Sequence, residues 1–260
     1  MDKDRLRKLT DNPKFIPGIY NYCDRWCERC IFTSRCLNYA LDEETFNSPD
    51  EPHNETTEFW DKLRETFSIT TEIIKENTEE DDFDFDAAQI SDELDKENDN
   101  HLKAKNHICS ITAEYYSRKV KEWFNNSNEI FNKQQSQLRS KIESNPVEAI
   151  REASVVKDSI EIINWHQNQI YIKILRALHS KLDEEELNEA LVKDSDGSAK
   201  VALIGIDRSI AAWGEMLHFF SVVESEIFAF ILQLDDLRKE IERTFPKARN
   251  FIRPGFDELN

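Results

Sequence analysis

Four of the five cysteines lie within fourteen consecutive residues, and their spacing is the clearest indication of chemistry in this chain. Cys23, Cys27, Cys30 and Cys36 form the pattern C-x3-C-x2-C-x5-C. Four thiolates this close together repel one another unless a cation neutralises them. A Zn²⁺ ion in a Cys₄ tetrahedron and a cuboidal iron–sulfur cluster both provide that charge. Packed thiols without any metal are the remaining interpretation.

The positions of the cysteines along the chain favour a cluster over zinc. On a helix, Cys23, Cys27 and Cys30 stand at i, i+4 and i+7 and share one face, and Cys36 can return to them after a turn near residues 33–34. Structural zinc usually takes its ligands from two C-x₂₋₄-C knuckles that a longer loop holds apart. No such loop separates these cysteines. We therefore expect a [4Fe-4S] cluster bound by all four thiolates, with Zn²⁺ as the alternative.

Residues 27–41 read CERCIFTSRCLNYAL, and this stretch is similar to known cluster-binding sequences. It resembles the C-x2-C-x5-C-L-x-Y-A-L stretch of WhiB-like iron–sulfur regulators, and the same cysteine spacing is found in the cluster loop of endonuclease-III-type DNA glycosylases. The resemblance implies that Cys27, Cys30 and Cys36 are cluster ligands, and Cys23 is added as the fourth on geometric grounds. Only fifteen residues are covered, and the G-V-W-G-G turn, basic tail and helix–hairpin–helix of those families are absent. Neither transcriptional control nor base excision is therefore implied.

The formal net charge of −18 is concentrated in two short segments. Residues 42–58 carry seven acids and no base, and residues 77–100 carry eleven acids against Lys96, whereas residues 1–41 have a net charge of +3. No long basic stripe is present, which argues against a broad nucleic-acid-binding face. We therefore interpret the two acidic segments as connectors.

Several other classes of protein are disfavoured by composition. Only five glycines are present, with no G-x-G-x-x-G or P-loop pattern for a nucleotide. No apolar run reaches the ~18 residues that span a bilayer, and the first residues lack the apolar core of a signal peptide. We expect a cytoplasmic protein without membrane segments, whose thiols stay reduced.

The apolar patterns predict an all-α chain, with a helical bundle of about four helices and an N-terminal cysteine-rich metal module. Three long helices are expected, over residues 101–142, 146–182 and 199–244, with a turn at residues 194–197. The last of these should bury Val201, Ile204, Ala211, Val222, Phe228 and Leu232. The expected organisation is a Cys₄ module at 1–41, an acidic connector at 42–54, a helix of the bundle at 55–76, an acidic flexible loop at 77–100 and the main bundle at 101–260.

The acidic segment 77–100 cannot bury enough apolar surface to offset the entropy of ordering it, so we expect a flexible loop. Phe83 and Phe85 stand among its acids. An acidic segment of this kind can also dock onto a protein partner through its aromatic residues, which is the alternative interpretation.

A second, weaker candidate site lies in the bundle. Glu215-x-x-His218 is the E-x-x-H unit of ferritin-like di-metal proteins, which need two such units and two further glutamates. Glu114 and His166 are the other side chains that could contribute. The alternatives are a buried salt-bridge network of Arg208 with Glu215 or Asp158, and polar groups that simply reach solvent.

Three functions follow from these patterns. The first is a cluster-binding protein with a role in electron transfer, redox sensing or structure. The second is an interaction protein stapled by Cys₄ zinc, and the third is a cluster-assisted metalloenzyme that uses the Glu/His site. Serine, histidine and aspartate are scattered without a nucleophile elbow, so no enzyme class is defined.

Overall fold

In a computed structural model of this chain, residues 3–46, 87–184 and 194–258 can be described. All regular secondary structure in these ranges is helical, which confirms the predicted all-α class. The predicted helix at 55–76 lies outside the described residues, as does most of the acidic connector. The described α-helices are α1 (Lys3–Thr10), α2 (Leu37–Phe46), α3 (Ala87–Asn106), α4 (Ile108–Asn126), α5 (Asn128–Ser144), α6 (Pro146–Glu184), α7 (Asp194–Phe219) and α8 (Glu224–Thr244).

The chain divides into two compact units, and one of them is discontinuous in sequence. The cysteine unit comprises Met1–Glu93 and Arg253–Asn260, and the helical unit comprises Leu94–Ile252. Three boundaries differ from those predicted. The helical unit begins at Leu94 instead of residue 101. Residues 42–46 continue helix α2 instead of starting the connector, and residues 253–258 belong to the cysteine unit instead of the bundle.

The helical unit is built around α6 and α7, which pack against each other. Helix α7 also packs against α8, α4 contacts both α6 and α8, and α5 lies on α6. Gly205 on α7 permits the close approach of α6, because a Cβ there would lie 3.2 Å from both His166 Nδ1 and Ile170 Cγ1. The core of this unit therefore depends on a residue without a side chain at the centre of its main helix pair.

Trp213 of α7 is the centre of an aromatic core. Its side chain is fully buried, its ring stacks on Phe230 with 4.8 Å between centroids, and its Nε1–H donates to the hydroxyl of Tyr116 at 3.0 Å. Burial raises the pKa of Tyr116 well above its ordinary value, with the hydrogen bond from Trp213 acting in the opposite direction. Trp123 packs edge-on against Trp213 and donates to Glu226 Oε2 at 2.8 Å. Both indole N–H groups thus have hydrogen-bond partners, Trp213 with buried Tyr116 and Trp123 with exposed Glu226, as buried polar groups require.

The long helices predicted at 101–142 and 199–244 are both interrupted. His107 ends the first stretch and caps α4, since its Nδ1 accepts the backbone N–H of Cys109 at 3.2 Å. A second break falls at Ser127, whose hydroxyl donates to the carbonyl of Trp123 at 2.6 Å. The chain direction bends by 116° between helices α7 and α8, at a 3₁₀ turn spanning Ser221–Val223. Phe220 and Val223 are buried at this bend. Packing of the core therefore explains the break, since the sequence has no glycine or proline at the bend.

Residues 194–197, predicted as a turn, form the first turn of α7. Asp194 accepts two hydrogen bonds from the guanidinium of Arg176, at 2.7 and 3.1 Å, and one from the hydroxyl of Ser180 at 3.0 Å. An acidic side chain at a helix N-terminus is also favoured by the helix dipole. These local interactions outweigh the turn tendency of the D-S-D-G sequence.

The predicted apolar face of the last stretch is largely the exposed face. Ala211, Val222, Phe228 and Leu232 are all exposed, Val222 to 76% and Phe228 to 51%. The buried face of α7 and α8 is formed instead by residues such as Leu203, Ile206, Trp213, Met216, Ile227, Phe230, Leu234 and Leu237. Val201 is buried as predicted and Ile204 is half-buried. Beyond the bend at Phe220, a helical period carried through from α7 selects the wrong face.

Residues 87–100, predicted as part of a flexible loop, are helical and belong to α3. Lys103 and Lys105 lie in the last turn, which the helix dipole favours, and Lys103 pairs with Asp99 at 2.6 Å. Asn100 is buried and its Nδ2 donates to Asp183 Oδ1 at 3.2 Å. Tertiary contact thus orders a segment that composition alone assigns to solvent. Residues 77–86 lie outside the described ranges.

Among the described residues, no individual helix has the length and apolar character of a membrane span. Helices Asp194–Phe219 and Ser221–Thr244 reach that threshold only when they are taken together as a bent pair.

Candidate functional site

All four clustered cysteines line one pocket in the cysteine unit. The pocket is partly open to solvent, and the free space inside it is about 20 Å³, room for about one water molecule. Its walls are mainly aromatic, supplied by Tyr20, Trp26, Phe32, Tyr39 and Phe256. The structure therefore brings together the four thiols that the spacing placed at one site, and surrounds them with rings.

The thiols are brought together by short 3₁₀ turns, and the predicted helix through Cys23, Cys27 and Cys30 is not formed. The turns span Ile19–Tyr22, Cys27–Arg29 and Thr33–Arg35, and an extended cysteine follows each one: Cys23, Cys30 and Cys36. A continuous helix is prevented at Asp24, whose carboxylate accepts the backbone N–H of Trp26 at 3.2 Å. Arg25 between them has a φ of 59°, in the left-handed region.

The cysteine sulfurs have polar contacts with the backbone of the pocket. The backbone N–H of Phe32 donates to Cys30 Sγ at 3.4 Å, and the thiol of Cys23 donates to the carbonyl of Tyr20 at 3.5 Å. Burial is the main cause that raises the pKa of Cys27, followed by the charges of the other three cysteines. Burial also raises the pKa of Cys30, against the hydrogen bond from Phe32. A cation bound here would therefore have to displace protons from these thiols.

Three arginines alternate with the cysteines, and all three are exposed: Arg25, Arg29 and Arg35. The guanidinium of Arg29 lies over the ring of Trp26, 4.2 Å from its centroid. The charge of Arg25 lowers the pKa of Asp42, although burial of that carboxyl raises it more strongly. The loop that carries the thiols also holds Asp24 and Glu28, whose charges raise the pKa of Cys30 and Cys27 respectively, so the positive charge of the arginines is offset in part.

Phe256 is the pocket residue that the sequence does not indicate. It follows Pro254-Gly255, a dipeptide that is typical of a turn but does not show which part of the chain the turn will contact. Only the fold places this residue at the cysteines, more than two hundred residues away in sequence.

The four residues of the predicted second site do not all line one groove. Glu215 and His218 are exposed on α7 and line one groove of about 970 Å³ together with Gln134, Gln137, Arg151, Glu152, Val155 and Phe219. Glu114 is exposed on α4 and His166 is buried on α6, and neither lines that groove. Arg208 is exposed on α7, so the predicted buried stripe of polar groups faces solvent.

Within the three described ranges, no group of three or more His, Cys, Asp or Glu side chains is arranged to hold a metal ion. That statement covers the four cysteines as well as Glu114, His166, Glu215 and His218. The fifth cysteine, Cys109, is completely buried in the helical core, and burial raises its pKa to about 11.

Comparison with family models, with curated protein sequences and with solved structures gives no match for this chain. Its function is therefore inferred from its own residues.

Proposed function

We propose that this protein binds a [4Fe-4S] cluster through Cys23, Cys27, Cys30 and Cys36, with a role in electron transfer, redox sensing or stabilisation of the fold. The observation that supports this most directly is the lining of one aromatic-walled pocket by all four thiols. Four thiolates are the donor set that cuboidal clusters take, and these side chains would have to turn from their present positions to surround one, since they are not arranged to hold an ion. The ligands come from one short segment without the long loop that separates zinc knuckles, which favours a cluster over Zn²⁺.

A bound cluster would supply a one-electron couple, and the residues of the chain would set its surroundings. With four cysteine ligands no iron is left open to substrate, so electron transfer, sensing or structural support is favoured over substrate activation. The Phe32 N–H on Cys30 Sγ would stabilise added negative charge and so raise the reduction potential of a centre held here. The exposed Arg25, Arg29 and Arg35 would act in the same direction, against Asp24 and Glu28. A reducing compartment such as the cytoplasm would keep the thiols available for loading.

The decisive experiment is anaerobic purification followed by iron, sulfide and zinc analysis and a visible spectrum. We expect brown protein with iron and sulfide in near-equal amounts, close to four of each per chain. Single Cys→Ser variants at the four positions should lose most of the iron, and Cys109→Ser is the matched control, because that buried thiol lies in the core of the helical unit. Colourless protein with one zinc per chain would refute the cluster and support the zinc-stapled alternative.

A further inference from the structure

We propose that residues 253–257 form a second wall of the cofactor pocket, and that the ring of Phe256 shields the cysteine thiols from solvent. This inference rests on the proposed function for the identity of the cofactor. The wall itself is a feature of the protein and can be tested without any cofactor. It makes Phe256 a positioning residue for the site.

The first observation is the position of Phe256. Its side chain lines the pocket that all four thiols share. Its ring meets the ring of Phe32 edge-on, with 5.0 Å between centroids and 82° between planes. Phe32 lies in the loop between Cys30 and Cys36, and its N–H donates to Cys30 Sγ. Phe256 therefore packs on the residue that contacts a thiol directly.

The second observation is the close packing of Gly255 against the side chains of Ile16 and Ile19. Its φ is +74°, and a Cβ on it would lie 2.9 Å from Ile16 Cδ1 and 3.0 Å from Ile19 Cδ1. Both isoleucines are buried, and Ile19 also lines the pocket. Such close approach by backbone is possible only without a side chain. The segment is therefore seated on the cysteine unit at one fixed position.

The third observation is a charged brace within the wall. The Arg253 guanidinium donates to both carboxylate oxygens of Asp257, at 2.9 and 3.0 Å, and the backbone N–H of Arg253 donates to the same carboxylate at 3.0 Å. Both side chains are largely buried, and the guanidinium lies 4.8 Å from the centroid of the Phe256 ring. Bidentate pairs of this kind impose a specific geometry. The Phe256 ring is therefore in contact with this brace as well as with the ring of Phe32.

A wall of this kind controls access of solvent and solutes to the sulfurs. The apolar shell around a metal centre controls how much water can reach the metal and its ligands. Replacing the Phe256 ring with a methyl group removes part of that shell while leaving all four ligands in place. We therefore expect the thiols to become more reactive, and a bound cluster to be lost sooner in air, without loss of binding capacity.

The test compares Phe256→Ala with Phe228→Ala, a matched change at an exposed ring of the helical unit. The first measurement is the alkylation rate of Cys23, Cys27, Cys30 and Cys36 by iodoacetamide in the cofactor-free protein, resolved by mass spectrometry. The second is the decay of visible absorption in air after anaerobic loading. We expect Phe256→Ala to raise both rates several-fold, Phe228→Ala to leave both unchanged, and Phe256→Leu to restore most of the protection.

Each failure has a separate meaning. Equal alkylation rates for the parent and Phe256→Ala would refute the proposal that Phe256 shields the thiols, whatever the cofactor proves to be. A parent protein without iron and sulfide would refute the proposed function, while the alkylation measurement would still test the wall. If Phe256→Ala unfolds, Asp257→Asn provides the same test, because it keeps the ring and weakens the brace. Unchanged alkylation in a folded Asp257→Asn would then overturn the inference.

Discussion

Gly255→Ala is the substitution that probes most sharply how the cysteine unit is held together. The left-handed backbone costs a non-glycine residue about 1–2 kcal/mol. The new methyl group would also press on Ile16 and Ile19 at 2.9 and 3.0 Å, and crowding of a packed core costs about 1–3 kcal/mol. Reduced entropy of the unfolded chain returns about 0.4–1 kcal/mol. The expected net loss is about 2–4 kcal/mol in the free energy that keeps the unit closed.

A loss of that size changes the opening equilibrium of the unit by about 10²-fold, since each 1.4 kcal/mol is a factor of ten. Hydrogen exchange of the backbone amides of residues 16–36 measures this opening directly. Protection in this range should fall by about that factor in Gly255→Ala. The core amides of α6 and α7, which belong to the other unit, should keep their protection.

Two other glycines separate the backbone cost from the steric cost. Gly18 also has a left-handed φ of +72°, but a Cβ there would meet nothing closer than 3.8 Å, so Gly18→Ala should show only the strain of about 1–2 kcal/mol. Gly214 lies inside α7 with no atom within 4 Å of the added Cβ, and Gly214→Ala should stabilise its helix by about 0.5–1 kcal/mol. If Gly255→Ala proves no worse than Gly18→Ala, the close approach to Ile16 and Ile19 is wrong.

Three further predictions concern the helical unit. Trp213→Ala should lower the free energy of unfolding by about 3–5 kcal/mol in denaturant titrations, because it empties the aromatic core, whereas Phe228→Ala, at a half-exposed ring, should cost far less. Cys109 has a pKa of about 11 in the folded protein against a reference value of 9.0. The neutral thiol therefore contributes its full share of stability below pH 9, and this share is lost as pH rises through about 11. Between pH 9 and 11 the parent protein should lose more unfolding free energy than Cys109→Ala. Equal losses in the two proteins would contradict this prediction. Arg249→Ala removes ion pairs to Asp207 at 2.6 Å and Glu242 at 2.8 Å, yet these groups are partly exposed, so we expect a loss of about 1 kcal/mol or less that shrinks in 1 M salt.

The grouping of the four thiols at one pocket was predictable because it depends on local spacing. Four cysteines within fourteen residues must lie near one another in most conformations of so short a segment. The conformation itself was not predictable in the same way. The Asp24 side chain accepts the N–H of Trp26 and replaces the expected helix with 3₁₀ turns, a choice between local alternatives of similar energy.

Helix ends were predictable where a local signal exists, and only there. Asn145 and Pro146 separate α5 from α6 as expected, because proline favours the first position of a helix. The bend at Phe220 has no such signal, since it results from burial of Phe220 and Val223 in the core. The exposure of Val222 and Phe228 follows from the same bend. Likewise, only tertiary packing shows that Phe256 reaches the cysteines.

The discontinuity of the cysteine unit has a consequence for the order in which the protein is made. Ribosomes add about 5–20 residues per second. Gly255 is therefore synthesised roughly 10–40 seconds after Cys36, at those rates. During that interval the four thiols are already on the nascent chain, while the residues that cover their pocket do not yet exist. During translation the thiols are therefore without the ring of Phe256 until the last segment has been added.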